Sequence, residues 1–448
     1  MRKNRQEQLS LQQPWLAQEH AKELEAISAL LDENPRLAEL ATQALVPDGV
    51  SAERGRRGMT GEQALRAAIV RQMNGFSYEE LAFHLQDSLT YRRFVRLGLG
   101  DKPPSASALA ANIKRLGPET WEAIHRVVLA EAVRRGVDDG RKVRIDTTPV
   151  AAPIHKPDDA SLMGDVVRVL ARTLDKARSY GVTFSDRRRR AKRRVRDAMY
   201  ARNSTARRRA YTDLLKVTIE TLEFVGPAVK RLQEVFAKDS DPKAYALAAT
   251  LRHHESLGWQ VAEQTFRRVH EGEQVPVQDK VVSIFEPHTD ILVKDRRDVH
   301  FGHKVCVSTG ASSLVIDCQI LDGNPADSTL VEPMLQRHAE LLGRVPRQVA
   351  MDGGFASRAN LELAKHMGVQ DVAFHKRRGL KVSDMAKSSW VYKRLVRFRA
   401  GVEAGISWLK RGFGMDRVRW RGKASFHAYV WAAVVTLNLV VIARHALA

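Results

Sequence analysis

The chain has 448 residues, a formal net charge of +21 and a pI near 10.1. Its 44% apolar content excludes a disordered chain, and the length suits two or three domains at roughly 150 residues each. So basic a balance points to a polyanionic partner, either nucleic acid or an anionic membrane surface.

Cys306 and Cys318 are the only cysteines. They fall in adjacent predicted strands and read as reduced, packed thiols of a cytosolic protein. The opening octapeptide, Met1 to Gln8, is too polar to begin a secretory signal. The long apolar segment Ala428 to Ala443 is shorter than a membrane span of about 20 residues and contains Thr436 and Asn438. It reads as a buried closing helix, so no membrane partner is expected.

In chain order, residues 1 to 58 read as one or two helices with a break at Pro35, a loop Val46-Pro47-Asp48-Gly49 and a basic hinge, Arg54-Gly55-Arg56-Arg57-Gly58. Leu24, Ile27, Leu30 and Leu31 supply the helical stripe. Thr60 caps a helix through Met73. Ser77, with Glu80 in the capping-box position, starts another through Leu85. Asn74-Gly75-Phe76 between them gives the pair a helix-turn-helix-like spacing, which suits either DNA contact or a plain helical bundle. Ser105 and Pro118 open two further helices, the last running to about Arg135.

The pattern then changes. Val143 and Ile145 alternate with charged residues as in a strand, and this strand is expected to end on Asp146. From Pro153 to about Glu271 the chain is helical and basic. Residues 186 to 209 hold eleven Arg and one Lys against two Asp, a net +10. The run includes Arg187, Arg188, Arg189, Arg190, Lys192, Arg193 and Arg194, and its density favours phosphate binding over a merely solvated face. Tyr211 to Phe236 and Lys243 to Phe266 read as two helices of a hairpin carrying this segment.

Strands are expected at Val281–Ile284, Gly302–Ser308 and Leu314–Ile320, the last two joined by a hairpin turn at Thr309–Ser312. A helix from Asp327 to Leu342 follows, then a short strand through Met351. That strand ends on Asp352-Gly353-Gly354, with Ser357 capping the next helix and a further strand at Asp371–Phe374. By itself Asp-Gly-Gly is also an ordinary turn. At the carboxyl end of a strand in an open α/β sheet, however, an acid lies where ligands gather. A helix from Leu395 to Lys410 places Arg399, Glu403 and Lys410 on one face. Gly401 and Gly405 beside Glu403 each cost about 1 kcal/mol in a helix, which close approach of another backbone or a nucleic acid strand would explain.

Asp146, Asp352 and Glu403 therefore stand out. Hard oxygen ligands without His or Cys suit Mg²⁺ or Mn²⁺, and two such ions about 3.5–4 Å apart serve phosphodiester chemistry.

These pieces resemble bacterial insertion-sequence transposases with a DDE triad on a ribonuclease-H-like fold. The resemblance rests on Arg144-Ile145-Asp146-Thr147-Thr148, Phe301-Gly302-His303-Lys304, Asp322-Gly323-Asn324-Pro325-Ala326-Asp327 and Met351-Asp352-Gly353-Gly354-Phe355-Ala356-Ser357. The last piece, Arg399-x₃-Glu403-x₆-Lys410, follows the family's Tyr-x₂-Arg-x₃-Glu-x₆-Lys signature. Val396 stands in the tyrosine position, and Tyr392 or Phe398 is the candidate replacement.

The element pattern itself gives a mixed α/β sheet from 139–152 and 275–448, with an arginine-rich helical insertion over 153–274 after its first strand. Residues 175–270 are the part least like the family, whereas residues 59–135 resemble its N-terminal domain, so a helical DNA-binding domain is expected over 1–138. The resemblance implies that Asp146, Asp352 and Glu403 hold two Mg²⁺ or Mn²⁺ ions, with Arg399, Lys410 and Lys304 among the DNA contacts. The activity implied is DNA cleavage at the element's terminal inverted repeats and strand transfer into target DNA, by a homodimer or larger assembly on the bacterial nucleoid. A transposase-derived regulator without catalysis, or a related nuclease, is the alternative.

Overall fold

The computed structural model describes residues 18–46, 49–50, 58–98, 100–294 and 298–448. The polar N-terminus, Pro47 and Asp48 of the expected loop, and Arg54–Arg57 of the expected hinge lie outside the described residues.

Helices α1 (Glu19–Glu33) and α2 (Pro35–Leu45) flank the expected break. Next come α3 (Gly61–Asn74), α4 (Tyr78–Asp87), α5 (Leu89–Phe94), α6 (Ala106–Ile113) and α7 (Pro118–Arg134). Both expected caps form: Thr60 with Gln63, and Ser77 with Glu80, make reciprocal capping boxes. Strand β1 (Lys142–Ala151) is followed by five long helices: α8 (Asp159–Ala177), α9 (Arg188–Met199), α10 (Ser204–Leu222), α11 (Val225–Asp239) and α12 (Pro242–Val269). Strands β2 (Asp290–Lys294), β3 (Asp298–Thr309) and β4 (Val315–Ile320) lead to α13 (Val331–Leu342), β5 (Gln348–Met351), α14 (Arg358–His366) and β6 (Asp371–Phe374). The chain closes with α15 (Val382–Met385), α16 (Ser389–Gly412) and α17 (Lys423–Leu447).

The chain divides into two compact units, one of residues 1–152 with 302–448, the other of residues 153–301. The boundary expected at 138 falls inside the first unit, where α7 packs along α17. The sheet order is β2-β3-β1-β5-β6, with β4 also paired to β3. Strand β3 runs antiparallel to β1, whereas β5 and β6 run parallel to it. With its helical N-terminal region, this mixed sheet is a ribonuclease-H-like α/β fold, and the helical insertion follows its first strand. One face of β5 and β6 buries Ala350 and Ala373 against Val391 and Leu395 of α16.

The apolar C-terminal segment is the central helix of the first unit. An 18-residue window of α17 is long and apolar enough to cross a membrane, yet 94% of it is buried inside the protein. Asn438 explains its own place there. Its amide donates to the Val315 carbonyl and accepts from the Val315 N–H, both at 2.8 Å, so it finishes the edge of β4 as a strand would. Cys306 and Cys318 are free and buried, and burial pushes both thiols up.

Two expectations about the second unit change. The run Val281–Ile284 is not a strand. The Gln264 side chain on α12 bonds both the N–H and the carbonyl of Val281, and Val281 and Ile284 bury in the helical core. The strand of this region is β2, which begins only at Asp290. The helix expected over Tyr211–Phe236 is in fact two, α10 and α11, parted at Glu223–Phe224.

A pairing invisible in the sequence ties the first unit together. Asp317 on β4 is fully buried and receives two hydrogen bonds from Arg337 of α13, at 2.7 and 2.9 Å. Arg337 also reaches Glu122 of α7 at 3.2 Å. Removing one partner of a buried pair leaves the other charge uncompensated. Arg337→Met is therefore expected to destabilise the fold by about 3–5 kcal/mol in urea unfolding, whereas a surface change such as Arg358→Met should cost less than about 1 kcal/mol.

Candidate active site

The parallel pairing of β1 with β5 sets the site. Its last registered pair is Ile145 with Met351, so Asp146 and Asp352 are the next residues on neighbouring strands. Strand β1 does not stop there as the sequence pattern suggested. It continues to Ala151 because β3 supplies a full antiparallel partner as far as Gly302. Asp146 thus sits at the end of the parallel ladder but in the middle of its own strand, which makes its backbone more firmly held than that of a terminal residue.

Glu403 comes from α16, and all three acids converge on one cation. Nη2 of Arg399 lies 2.9 Å from Oδ2 of Asp146 and 3.7 Å from Oδ1 of Asp352. Nη1 lies 3.7 Å from Oε1 of Glu403. Exposure rises steeply along this trio: the side chain of Asp146 is 16% exposed, that of Asp352 40% and that of Glu403 76%. Burial raises the pKa of Asp146; the Thr147 N–H and the Arg399 guanidinium oppose that rise, and neighbouring Asp352 adds to it. Nε of Arg399 is buried without a hydrogen-bond partner. Among the described residues no group of three His, Cys, Asp or Glu side chains is arranged to hold a metal ion; the acids surround a guanidinium instead.

A fourth acid, Asp327, completes the setting. Thr147 donates to it at 3.0 Å, and Lys304 pairs with the same oxygen at 2.7 Å. Its other oxygen presses on Gly354, where an added Cβ would lie 2.6 Å away. A Cβ on Gly353 would lie 2.7 Å from Lys376 Cβ. The glycine pair after Asp352 is thus required by side chains packed around the site. In the sequence Asp327 is a helix start and the end of the family-like stretch Asp322–Asp327, but nothing in its spacing announces a partner on β1.

The expected DNA contacts divide. Arg399 and Lys304 are engaged with acids, and Lys410 lies 3.8 Å from Asp416. In the second unit Arg187 pairs with Glu220, Arg188 with Asp186 and Asp175, and Arg190 and Arg194 both with Asp213. Arg189, Lys192 and Arg193 are exposed. The replacements for the missing tyrosine are both occupied. The Tyr392 hydroxyl donates to the Phe374 carbonyl, and the Phe398 ring carries Lys142 and Arg144. Gly401 is explained by Arg144, whose Nη1 would lie 2.2 Å from an added Cβ; nothing in the structure explains Gly405. On the helix-turn-helix-like pair, α4 exposes Glu79, Glu80 and Asp87, a surface unsuited to a phosphate backbone.

Comparison with known families gives two matches. Residues 288–439 match the family described as transposase DDE domain, and residues 12–115 match that described as transposase domain (DUF772). The first match spans Asp352 and Glu403; Asp146 lies between the two. No curated protein and no solved structure matches.

Arg399 lowers the pKa of Asp146 against the effect of burial. Arg399→Gln should therefore move the Asp146 carboxyl further upward, so that it protonates at higher pH. Carboxyl-carbon NMR titration of wild type and variant checks this, and an unmoved Asp146 would show that the guanidinium has no hold on it.

Proposed function

We propose that this chain, which belongs to the insertion-sequence transposases of the DDE type, binds the ends of its element and catalyses metal-dependent cleavage and strand transfer with Asp146, Asp352 and Glu403. The observation that carries this reading is the meeting of these three acids around one largely buried cation at the end of a parallel ladder.

In chemistry, though not in its present arrangement around Arg399, the donor set suits Mg²⁺ or Mn²⁺. It is all oxygen, with no His or Cys beside it, and its acids already draw a positive charge among them in the form of Arg399. Asp146, Asp352 and Glu403 would hold the ions. When bound, two such ions supply activation of a water or 3′-hydroxyl and stabilisation of the leaving oxygen of a phosphodiester. The protein's own residues do the rest. Asp146 is presented from within β1, and Asp352 from the residue that follows β5. Glu403, on an exposed helix face, is the member free to adjust as substrate enters. Arg399 opposes the upward push of burial on the Asp146 carboxyl, and its guanidinium would be a cation beside the scissile phosphate. Lys304 and Thr147 hold Asp327 beside the site. Cleavage is hydrolytic and strand transfer is a transesterification, with no covalent enzyme–DNA intermediate. Because two ends are joined in one event, a homodimer or larger assembly on double-stranded DNA, at the nucleoid, is part of this reading.

A regulator that binds element DNA without cutting it is the second reading, favoured by Arg399 standing where a cation would bind. Cleavage of duplex carrying the element's inverted repeat, with Mg²⁺, separates the two. Under the first reading Asp352→Asn should retain DNA binding. It should lose more activity than the roughly 10–100-fold that removal of an outer-shell partner costs a metal site. Binding by the wild-type chain with no Mg²⁺- or Mn²⁺-dependent products would establish the regulator, and nicking without strand-transfer products would establish a nuclease.

A further inference from the structure

The arginine-rich helix α9 has three sides with different chemistry. Ala191 and Ala198 are buried and Val195 is packed against the helical core; Val195 comes so close to α8 that a Cβ on Gly164 would lie 2.7 Å from it. Beside this apolar seam, Arg190 and Arg194 both grip Asp213 of α10, and Arg194 also takes Asp197. The third side holds Arg189, Lys192, Arg193 and Arg196, all exposed and without an acidic partner among the described residues. Their spacing of i, i+3, i+4 and i+7 places them in one stripe of the helix.

Two features distinguish this stripe from an ordinary solvated face. Like charges at i,i+4 oppose helix formation, and the acids of this region, Asp175, Asp186, Asp197, Asp213 and Glu220, are all spent on other arginines. The stripe also runs on into Met199 and Tyr200, which are 57% and 79% exposed. An uncompensated cation row is the electrostatic counterpart of a duplex phosphate backbone, and the exposed thioether and phenol at its end extend the contact toward neighbouring sugars.

Resting on the reading of this chain as a DNA-acting protein, we infer that the exposed stripe Arg189–Lys192–Arg193–Arg196 is a docking surface for the phosphate backbone of duplex DNA. The paired arginines of the same run are a buttress that holds the stripe outward. From Arg189 to Arg196 the helix rises about 10 Å, the length of roughly three phosphates along one strand of B-DNA. Arg187, Arg188, Arg190 and Arg194, although part of the same run, do not contact DNA.

The test is the salt dependence of binding to a mixed-sequence DNA duplex, measured on the full chain without divalent ions, so that it is independent of cleavage. One variant carries Arg189→Gln, Lys192→Gln, Arg193→Gln and Arg196→Gln. A charge-matched control carries Lys216→Gln, Lys230→Gln, Lys238→Gln and Lys243→Gln, which are exposed elsewhere in the same unit. Each phosphate contact contributes about 0.9 to the slope of log K against log salt. The stripe variant should lose about 2–3 from the slope and the control less than about 1. A third variant, Arg189→Lys with Arg193→Lys and Arg196→Lys, keeps the charge and should keep the slope. Equal losses in stripe and control variants, an unchanged slope, unfolding of the stripe variant, or tighter binding of an RNA duplex than of DNA would each overturn the inference. If the stripe result holds while Asp352→Asn and wild type are equally inactive, it is the catalytic reading that fails.

Discussion

Two carboxylates on adjacent strands, one of them largely buried, repel each other, and the site exists because something positive stands between them. In this protein that is Arg399, whose guanidinium meets Asp146, Asp352 and Glu403. The ladder from Lys142–Gln348 to Ile145–Met351 brings the first two acids level. The packing of α16 over Ala350 and Ala373 delivers the arginine and the glutamate to the same place. Sheet register, helix packing and charge balance are thus parts of one condition. Loss of the guanidinium would leave a buried carboxylate facing a second one.

What the sequence reveals of this follows a physical divide. Signals that act within a few residues are readable: the Thr60 cap, the Ser77 capping box, the Ser357 cap, the break at Pro35 and the strand leading to Asp352. So is the candidate trio, since acids that follow β-compatible runs or share a helix face with basic residues are unusual on local grounds. Partners far apart in the chain are not readable. Asp146 belongs to the middle of β1 because β3, joined on the far side of the insertion, continues the pairing. Val281–Ile284 has the composition of a strand but finds a glutamine side chain and a helical core before it finds a strand. Arg399 carries the same charge whether it meets a phosphate or three carboxylates.

The same divide governs the arginine run. Its net charge is a property of composition, but the number of cations free to meet a polyanion is decided by tertiary pairing. Asp213 alone occupies two of them. Counting residues therefore overstates the charge available to a partner, and the geometry that removes some cations also orients the remainder. Buried polar groups elsewhere follow this logic. Asn438 in an apolar helix and the buried Gln264 look out of place until each is seen to satisfy both backbone groups of a single valine.

The chain leaves β1 after Ala151 and pairs with it again from Gly302, and these two residues are partners on the same rung of the β1–β3 ladder. For the sheet, the long excursion is equivalent to the loop of a hairpin. Closing a loop becomes more costly only with the logarithm of its length, about 0.6 kcal/mol for each doubling, and a segment with its own core lowers even that cost by holding its ends together. The strand that carries the first acid can thus accept helical cargo of widely different length without a change in register. Such a rung is a place where a chain of this kind can gain or exchange a whole module while its chemistry stays in place.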